Sequence, residues 1–170
     1  ANPEKVTFYV GADKKALEKI GLIIDELDIS NSNEETINKK LKQNDYIFVS
    51  GGNTFYLLQE LKRTGADKIL IEQIKSGKPY IGSSAGSIIL SKDIRYVSKM
   101  DSPKKAPNLN DYKSLGIVDF YPLPHYGNAP FKKIGEGIVS EYGSQIDLKP
   151  INNKQAILVK SNKSEIREET

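Results

Sequence analysis

The run Gly82-Ser83-Ser84-Ala85-Gly86 carries the strongest chemical signal in this chain of 170 residues. It reads G-x-S-x-G around Ser84. A hydroxyl attacks a carbonyl only when a base takes its proton and when rigid backbone holds it exposed. A strand that turns sharply into a helix provides that exposure, because it projects the serine from the end of the sheet. Glycines on either side leave room for the helix to cross close to the strand. The N–H groups and positive dipole end of the following helix would then face a developing oxyanion. Ala85 N–H is the expected donor, with a second from Gly51 or Gly52 at the end of the neighbouring strand. The same pentapeptide also serves as a plain small-residue turn, so its chemical meaning depends on a base.

The chain has one histidine, His125, so a histidine base can only be that residue. It follows an apolar run and sits in Pro124-His125-Tyr126-Gly127-Asn128, a loop setting in which site residues concentrate. A carboxylate to orient the imidazole is expected among Asp101, Asp119 and Asp147, with Glu136 and Glu141 behind them. Asp119 lies inside a strand pattern, which favours a structural role. Asp101 lies in the long loop after the serine, and Asp147 in a loop after the histidine. Spacing does not choose between them.

Other chemistries are poorly supported. There is no cysteine, which excludes disulfides, thiolate metal ligands and a cysteine nucleophile. No His/Asp/Glu cluster has metal-ligand spacing, so neither metal nor cofactor is expected. Ser50-Gly51-Gly52-Asn53-Thr54 lacks the lysine-bearing phosphate-loop spacing, and no G-x-G-x-x-G is present. The 25 Lys and Arg against 22 Asp and Glu leave a formal net charge of +3, too small and dispersed to indicate nucleic acid or an anionic membrane. No apolar run reaches the length of a membrane span. The start, Ala1-Asn2-Pro3-Glu4, has neither an initiator methionine nor the regions of a signal peptide. With the missing cysteines, this gives a cytoplasmic expectation.

The elements that must position these residues alternate between apolar and amphipathic runs. That pattern predicts an α/β layered fold with a mostly parallel sheet, as one domain over residues 1–170. Residues 6–10 read locally as a strand, whereas Val6, Val10, Leu17 and Ile20 also fit one helical face ending at Gly21. Residues 22–29 read as a buried strand. Ser32 and Glu35 form a capping-box pattern for a short helix. A strand over 46–49 runs into the Ser50–Asn53 loop, and helices are expected over 54–64 and 67–76. A strand over 80–82 leads into the serine turn and a helix over 85–90. Residues 98–114 are polar, contain Pro103 and Pro107, and read as a long surface loop of the kind that often carries function. A strand over 117–123, a helix over 131–142 and a strand over 156–159 complete the pattern. The charged tail from Asn162 reads as loose.

Three segments together resemble the serine peptidase family of dipeptidase E (α-aspartyl dipeptidase) and cyanophycinase. They are Ser50-Gly51-Gly52-Asn53-Thr54-Phe55, Tyr80-Ile81-Gly82-Ser83-Ser84-Ala85-Gly86-Ser87, and Pro124-His125-Tyr126 with Asn128-Ala129. Weaker similarity runs from about residue 20 to 160 and includes Asn153-Lys154-Gln155-Ala156-Ile157. The resemblance implies a flavodoxin-like α/β sandwich similar to class I glutamine amidotransferases. It implies Ser84 as nucleophile, His125 as base, oxyanion donors near Gly52 and Ala85 with Asn53 beside them, and a small peptide as substrate. It also implies a helix over 5–20 followed by the strand 22–29.

Three departures stand out. Relatives have a leading parallel strand before the segment matching Ala1, which makes a truncated, non-catalytic binding homologue an alternative. Aspartyl dipeptidases carry Thr-Arg-Glu where this chain has Phe131-Lys132-Lys133. The family's Leu-Pro-Glu-Gly stretch, which holds one proposed triad acid, corresponds to Ser144-Gln145-Ile146-Asp147; another proposed acid falls near Asp101. An esterase or acyltransferase could use the same elbow, and the oligomeric state is left open.

Overall fold

A computed structural model describes residues 8–161 and 163–169. The strand reading at Val6 and Thr7, and Asn162, lie outside the described residues. The chain is α/β, with two parallel strand pairs that carry the site. β1 (Ile47–Val49) pairs with β2 (Tyr80–Gly82), in register from Ile47↔Tyr80 to Val49↔Gly82. β3 (Tyr121–Leu123) pairs with β4 (Leu148–Pro150). A third pair, β5 (Gln155–Lys160) and β6 (Lys163–Glu168), is an antiparallel hairpin. The tail expected to be loose is therefore the second strand of that hairpin.

Six α-helices accompany these strands among the described residues: α1 (Phe8–Lys19), α2 (Glu34–Gln43), α3 (Thr54–Thr64), α4 (Ala66–Lys75), α5 (Ala85–Ile88) and α6 (Lys132–Tyr142). Residues 8–19 are thus helical, as the family likeness implied. In place of the expected capping box, Asn33, one position after Ser32, caps α2, its side chain accepting from Thr36 N. Asn and Ser cap about equally well, so composition alone does not decide between neighbours. Residues 22–29 form no ladder with any described strand, and Ile23 is 98% exposed. Only 121–123 of the expected strand 117–123 is regular, because Ile117 N and Val118 N both donate to Leu90 O instead of to a strand.

Two apolar clusters form the core, and α3 and α5 belong to both. Leu57, Leu61, Ala85 and Ile89 pack with Ile37, Ile47 and Leu70. Phe55, Leu58 and Ile88 pack with Ile94, Val97, Leu123 and Ile138. The helical spacing of Leu57/Leu61 against Phe55/Leu58 sends alternate faces of α3 to the two clusters. The segments following β1 and β2 therefore rest on close-packed material, which transmits little slack to the loops above.

Candidate active site

All the residues singled out around the serine and histidine lie just beyond the carboxyl ends of parallel strands. Gly51 and Gly52 follow β1, Ser84 follows β2 and His125 follows β3. Asn153 follows β4, because Ile151 N donates to Leu123 O and Tyr126 N to Ile151 O, extending the pairing past the strands. This end of a parallel α/β sheet is where backbone groups and loops converge and where ligands bind in such folds.

Ser84 occupies a turn that an L-residue rarely adopts, at φ 49° and ψ −112°. Such strain persists where surrounding structure over-determines it. The glycines show how tightly. A Cβ on Gly86 would lie 2.1 Å from Val49 O, and one on Gly82 would lie 2.5 Å from Gly86 O. Helix and strand thus touch backbone to backbone. Tyr80 Oη donates to Gly86 O at 2.6 Å, and Ser83 N donates to Val49 O at 2.9 Å. Burial pushes the Tyr80 phenol far above its ordinary value, so it stays a donor. Ser87 Oγ closes on Ser84 O at 2.6 Å. The helix itself, α5, has only four residues. Its dipole is correspondingly small, and any anion-directed effect rests on individual N–H groups of its first turn, Ala85 N–H foremost.

The structure brings His125 to Ser84 across 41 positions of sequence. Ser84 Oγ lies 3.0 Å from His125 Nε2. On the far side, His125 Nδ1–H donates to Asn153 Oδ1 at 2.7 Å. An acceptor at Nδ1 fixes the proton there and leaves the Nε2 lone pair facing the serine hydroxyl. Phe131 stacks on the imidazole with ring centroids 5.3 Å apart and planes inclined by 26°. His125 has a positive φ of 63°. Asn153 is held in turn, its backbone N donating to Asn128 Oδ1 at 2.9 Å.

The third group at the serine and histidine is therefore an amide, and Asp101, Asp119, Asp147 and Glu141 are engaged elsewhere. Asp101 Oδ2 accepts from Thr54 N at 2.9 Å and from Thr54 Oγ1 at 2.5 Å, at the first turn of α3. Asp147 is largely exposed beside Lys149, and its backbone carbonyl accepts from Tyr121 N. Asp119 pairs with Lys92, and Glu141 with Lys99. Asn153 escapes a search confined to acids. The signal that could have found it is its place in Asn153-Lys154-Gln155-Ala156-Ile157, at the end of a strand that follows the histidine strand.

The two-glycine loop lies against the serine: a Cβ on Gly51 would meet Ser84 Cβ at 3.3 Å. Gly52 has φ 138°, a conformation that side chains disfavour. Asn53 caps α3, its Oδ1 accepting from Tyr56 N at 3.0 Å. The Asn53 side chain is thus committed to the helix and to Ser102 O, and Gly51 is the residue of this loop that lies against Ser84. Among the described residues no group of three or more His, Cys, Asp or Glu could hold a metal ion, and no helix is long and apolar enough to cross a membrane.

Comparison with known proteins places the chain in a family. An uncharacterized peptidase of Listeria monocytogenes is 55% identical over 157 residues, covering 92% of this chain and 77% of its own length. An uncharacterized peptidase of Pasteurella multocida is 47% identical over 164 residues, covering 96% and 79%. The crystal structure of a candidate peptidase E protein from Listeria monocytogenes EGD-e superposes with a TM-score of 0.95 at 51% identity, covering all of this chain and 83% of the other. The model of peptidase family S51 matches residues 1–167, and the chain belongs to that family as a peptidase E-like hydrolase.

Proposed function

We propose that this protein hydrolyses small peptides through an acyl-enzyme on Ser84, with His125 as general base. The observation that carries the reading is the 3.0 Å contact between Ser84 Oγ and His125 Nε2, made by a serine held in a strained elbow. Ser84 Oγ attacks the scissile carbonyl carbon while its proton passes to Nε2. The carbonyl oxygen takes the negative charge and is met by the N–H groups of Ala85 and Gly52. The C–N bond then breaks and the imidazolium gives its proton to the leaving amine. Water, deprotonated by the same nitrogen, attacks the acyl carbon; the bond from that carbon to Oγ breaks and the imidazolium returns the proton to Ser84 Oγ. Asn153 keeps the imidazole in the productive tautomer through both halves but offers no full charge to the imidazolium. The stacked face of Phe131 covers one side of the ring.

The residues act, in this reading, as one cytoplasmic hydrolytic domain of flavodoxin-like sandwich form. An active-site-directed fluorophosphonate tests it. The serine oxygen displaces fluoride from phosphorus, and one adduct on Ser84 is expected. A protein that stays unlabelled, or a Ser84→Ala variant that labels equally, sinks the proposal. A panel of dipeptides and simple esters then reads the leaving group; turnover of esters alone would replace peptidase by esterase.

A further inference from the structure

The segment 98–114, which reads in sequence as a long surface loop, is bound along α3 by contacts that run from Asp101 to Tyr112. Asp101 takes both donors of Thr54, and Asn53 Nδ2 donates to Ser102 O at 3.2 Å. One turn further, Asn108 N donates to Gln59 Oε1 at 2.9 Å. Tyr112 meets the edge of Phe55 with centroids 5.1 Å apart, and Asp111 pairs with Lys62 at 2.7 Å. Ala106 is buried in the same cluster as Phe55 and Leu58. The tightest anchoring is at the end that faces the site: Asn53 is 3% exposed and Thr54 fully buried.

We infer that Asp101 is a positioning residue for the oxyanion loop Gly51–Gly52, acting through Thr54 at the first turn of α3. The argument is one of constraint. A two-glycine loop has no side chain to lock its backbone, so its ends set the direction of its N–H groups. One end is β1, fixed by its ladder to β2. The other is the N-terminus of α3, where the first N–H groups have no partner inside the helix. Asn53 Oδ1 satisfies Tyr56 N, and Asp101 satisfies Thr54 N. Without Asp101, Thr54 has a buried N–H and a buried hydroxyl to satisfy again, and the turn must shift to do so. That shift moves the Gly52 N–H, and small misplacements of an oxyanion donor are costly in rate.

The inference rests on the serine-nucleophile reading, and the test separates the two. Fluorophosphonate labelling of the full chain is followed as a rate at saturation and as a half-saturating concentration. For Asp101→Ala the saturating rate should fall roughly ten- to a hundredfold with little change in half-saturation, since the loop acts on the charged transition state. Asp101→Asn, whose Oδ1 can still accept from Thr54, should recover most of the rate. Thr54→Val, which loses the hydroxyl donor and keeps the N–H, should lower the saturating rate in the same direction by less, and the double variant should be no slower than Asp101→Ala. Asp111→Ala, at the far end of the segment, should label like the parent. Thr54→Val also serves as the decisive variant if Asp101→Ala does not fold. A folded Asp101→Ala or Thr54→Val protein with the parent's saturating rate overturns the inference while leaving Ser84 as nucleophile. So does a loss confined to half-saturation. An unlabelled parent overturns both.

Discussion

His125 Nδ1 and Asn153 Oδ1 meet at 2.7 Å, so the imidazole facing Ser84 is oriented by a neutral amide. A carboxylate in this place does two things: it fixes the tautomer and it stabilises the imidazolium. An amide does the first alone. The pairing depends on backbone as much as on side chain, because Asn153 is carried to the histidine by the Leu123–Ile151 and Tyr126–Ile151 hydrogen bonds that lengthen the β3–β4 pair and by its own N–H on Asn128 Oδ1.

Substitution at Asn153 separates those two roles. Asn153→Leu removes the acceptor and should slow fluorophosphonate labelling by about 10²- to 10⁴-fold, the upper end being the cost of a wrong tautomer in serine triads. Asn153→Asp keeps the acceptor, adds a charge and should label at least as fast as the parent. Because the chain has one histidine, ¹⁵N spectra of its ring report the tautomer without assignment: protonated Nδ1 in the parent, a mixture in Asn153→Leu. A parent spectrum dominated by protonated Nε2 would contradict this account.

The elbow is set by contact between main chains, and Gly86→Ala tests it. The added methyl would sit 2.1 Å from the Val49 carbonyl oxygen. Backbone on both sides cannot give way as a flexible side chain could, so β1 and α5 must separate. The loss should exceed about 3 kcal/mol, in the range of the larger core disruptions, and appear as a collapse of the urea midpoint. A variant within about 0.5 kcal/mol of the parent, the range of neutral surface changes, would show that the crossing is looser than drawn.

Much of this was readable beforehand. The serine, the histidine and both glycine-bearing loops are each marked by local chemistry: a turn that demands small residues, a lone imidazole after a strand. Asn153 was not, since Asn is common in turns for reasons of its own and only the β3–β4 pairing shows which side chain it meets. Asp101 is visible in sequence as one of several candidate acids, and nothing there separates it from the rest, because a helix N-terminus competes with an imidazole for the same acid. Residues 22–29 show the limit of periodicity. Their exposure alternates on either side of the exposed pair Asp25-Glu26, yet a strand needs a hydrogen-bonding neighbour, and no described segment supplies one.

Acid should loosen the approach to α3. Burial pushes the Asp28 carboxyl up, but hydrogen bonds from Ser30 Oγ, Asn31 Nδ2 and Ser30 N outweigh it and hold the group at about 2. A carboxylate depressed in the folded state contributes its stability above the unfolded value, near 3.9, and loses it as pH falls through the folded one. Unfolding by urea should therefore become easier between about pH 4 and pH 2, and less steeply so in Asp28→Ala. The turn it organises is tied to α3 by Arg63 Nη2 on Ser30 O. Equal slopes for the two proteins would remove Asp28 from the acid response.

Tyr80 offers the most selective probe of the elbow, because its hydroxyl does one thing. It lies on β2, two residues before Gly82, and reaches past the turn to Gly86 O. Tyr80→Phe keeps the ring and its packing but leaves that carbonyl without the hydroxyl, a change costing about 1–3 kcal/mol when the group is buried. Because Gly86 lies two residues after the serine, part of that cost should be relieved by relaxation of the Ser84 turn itself. Labelling should slow with stability, whereas a mere packing defect would lower the urea midpoint and leave the labelling rate of the folded protein unchanged. A Tyr80→Phe protein with both properties of the parent would mean that the bond to Gly86 does not hold the elbow.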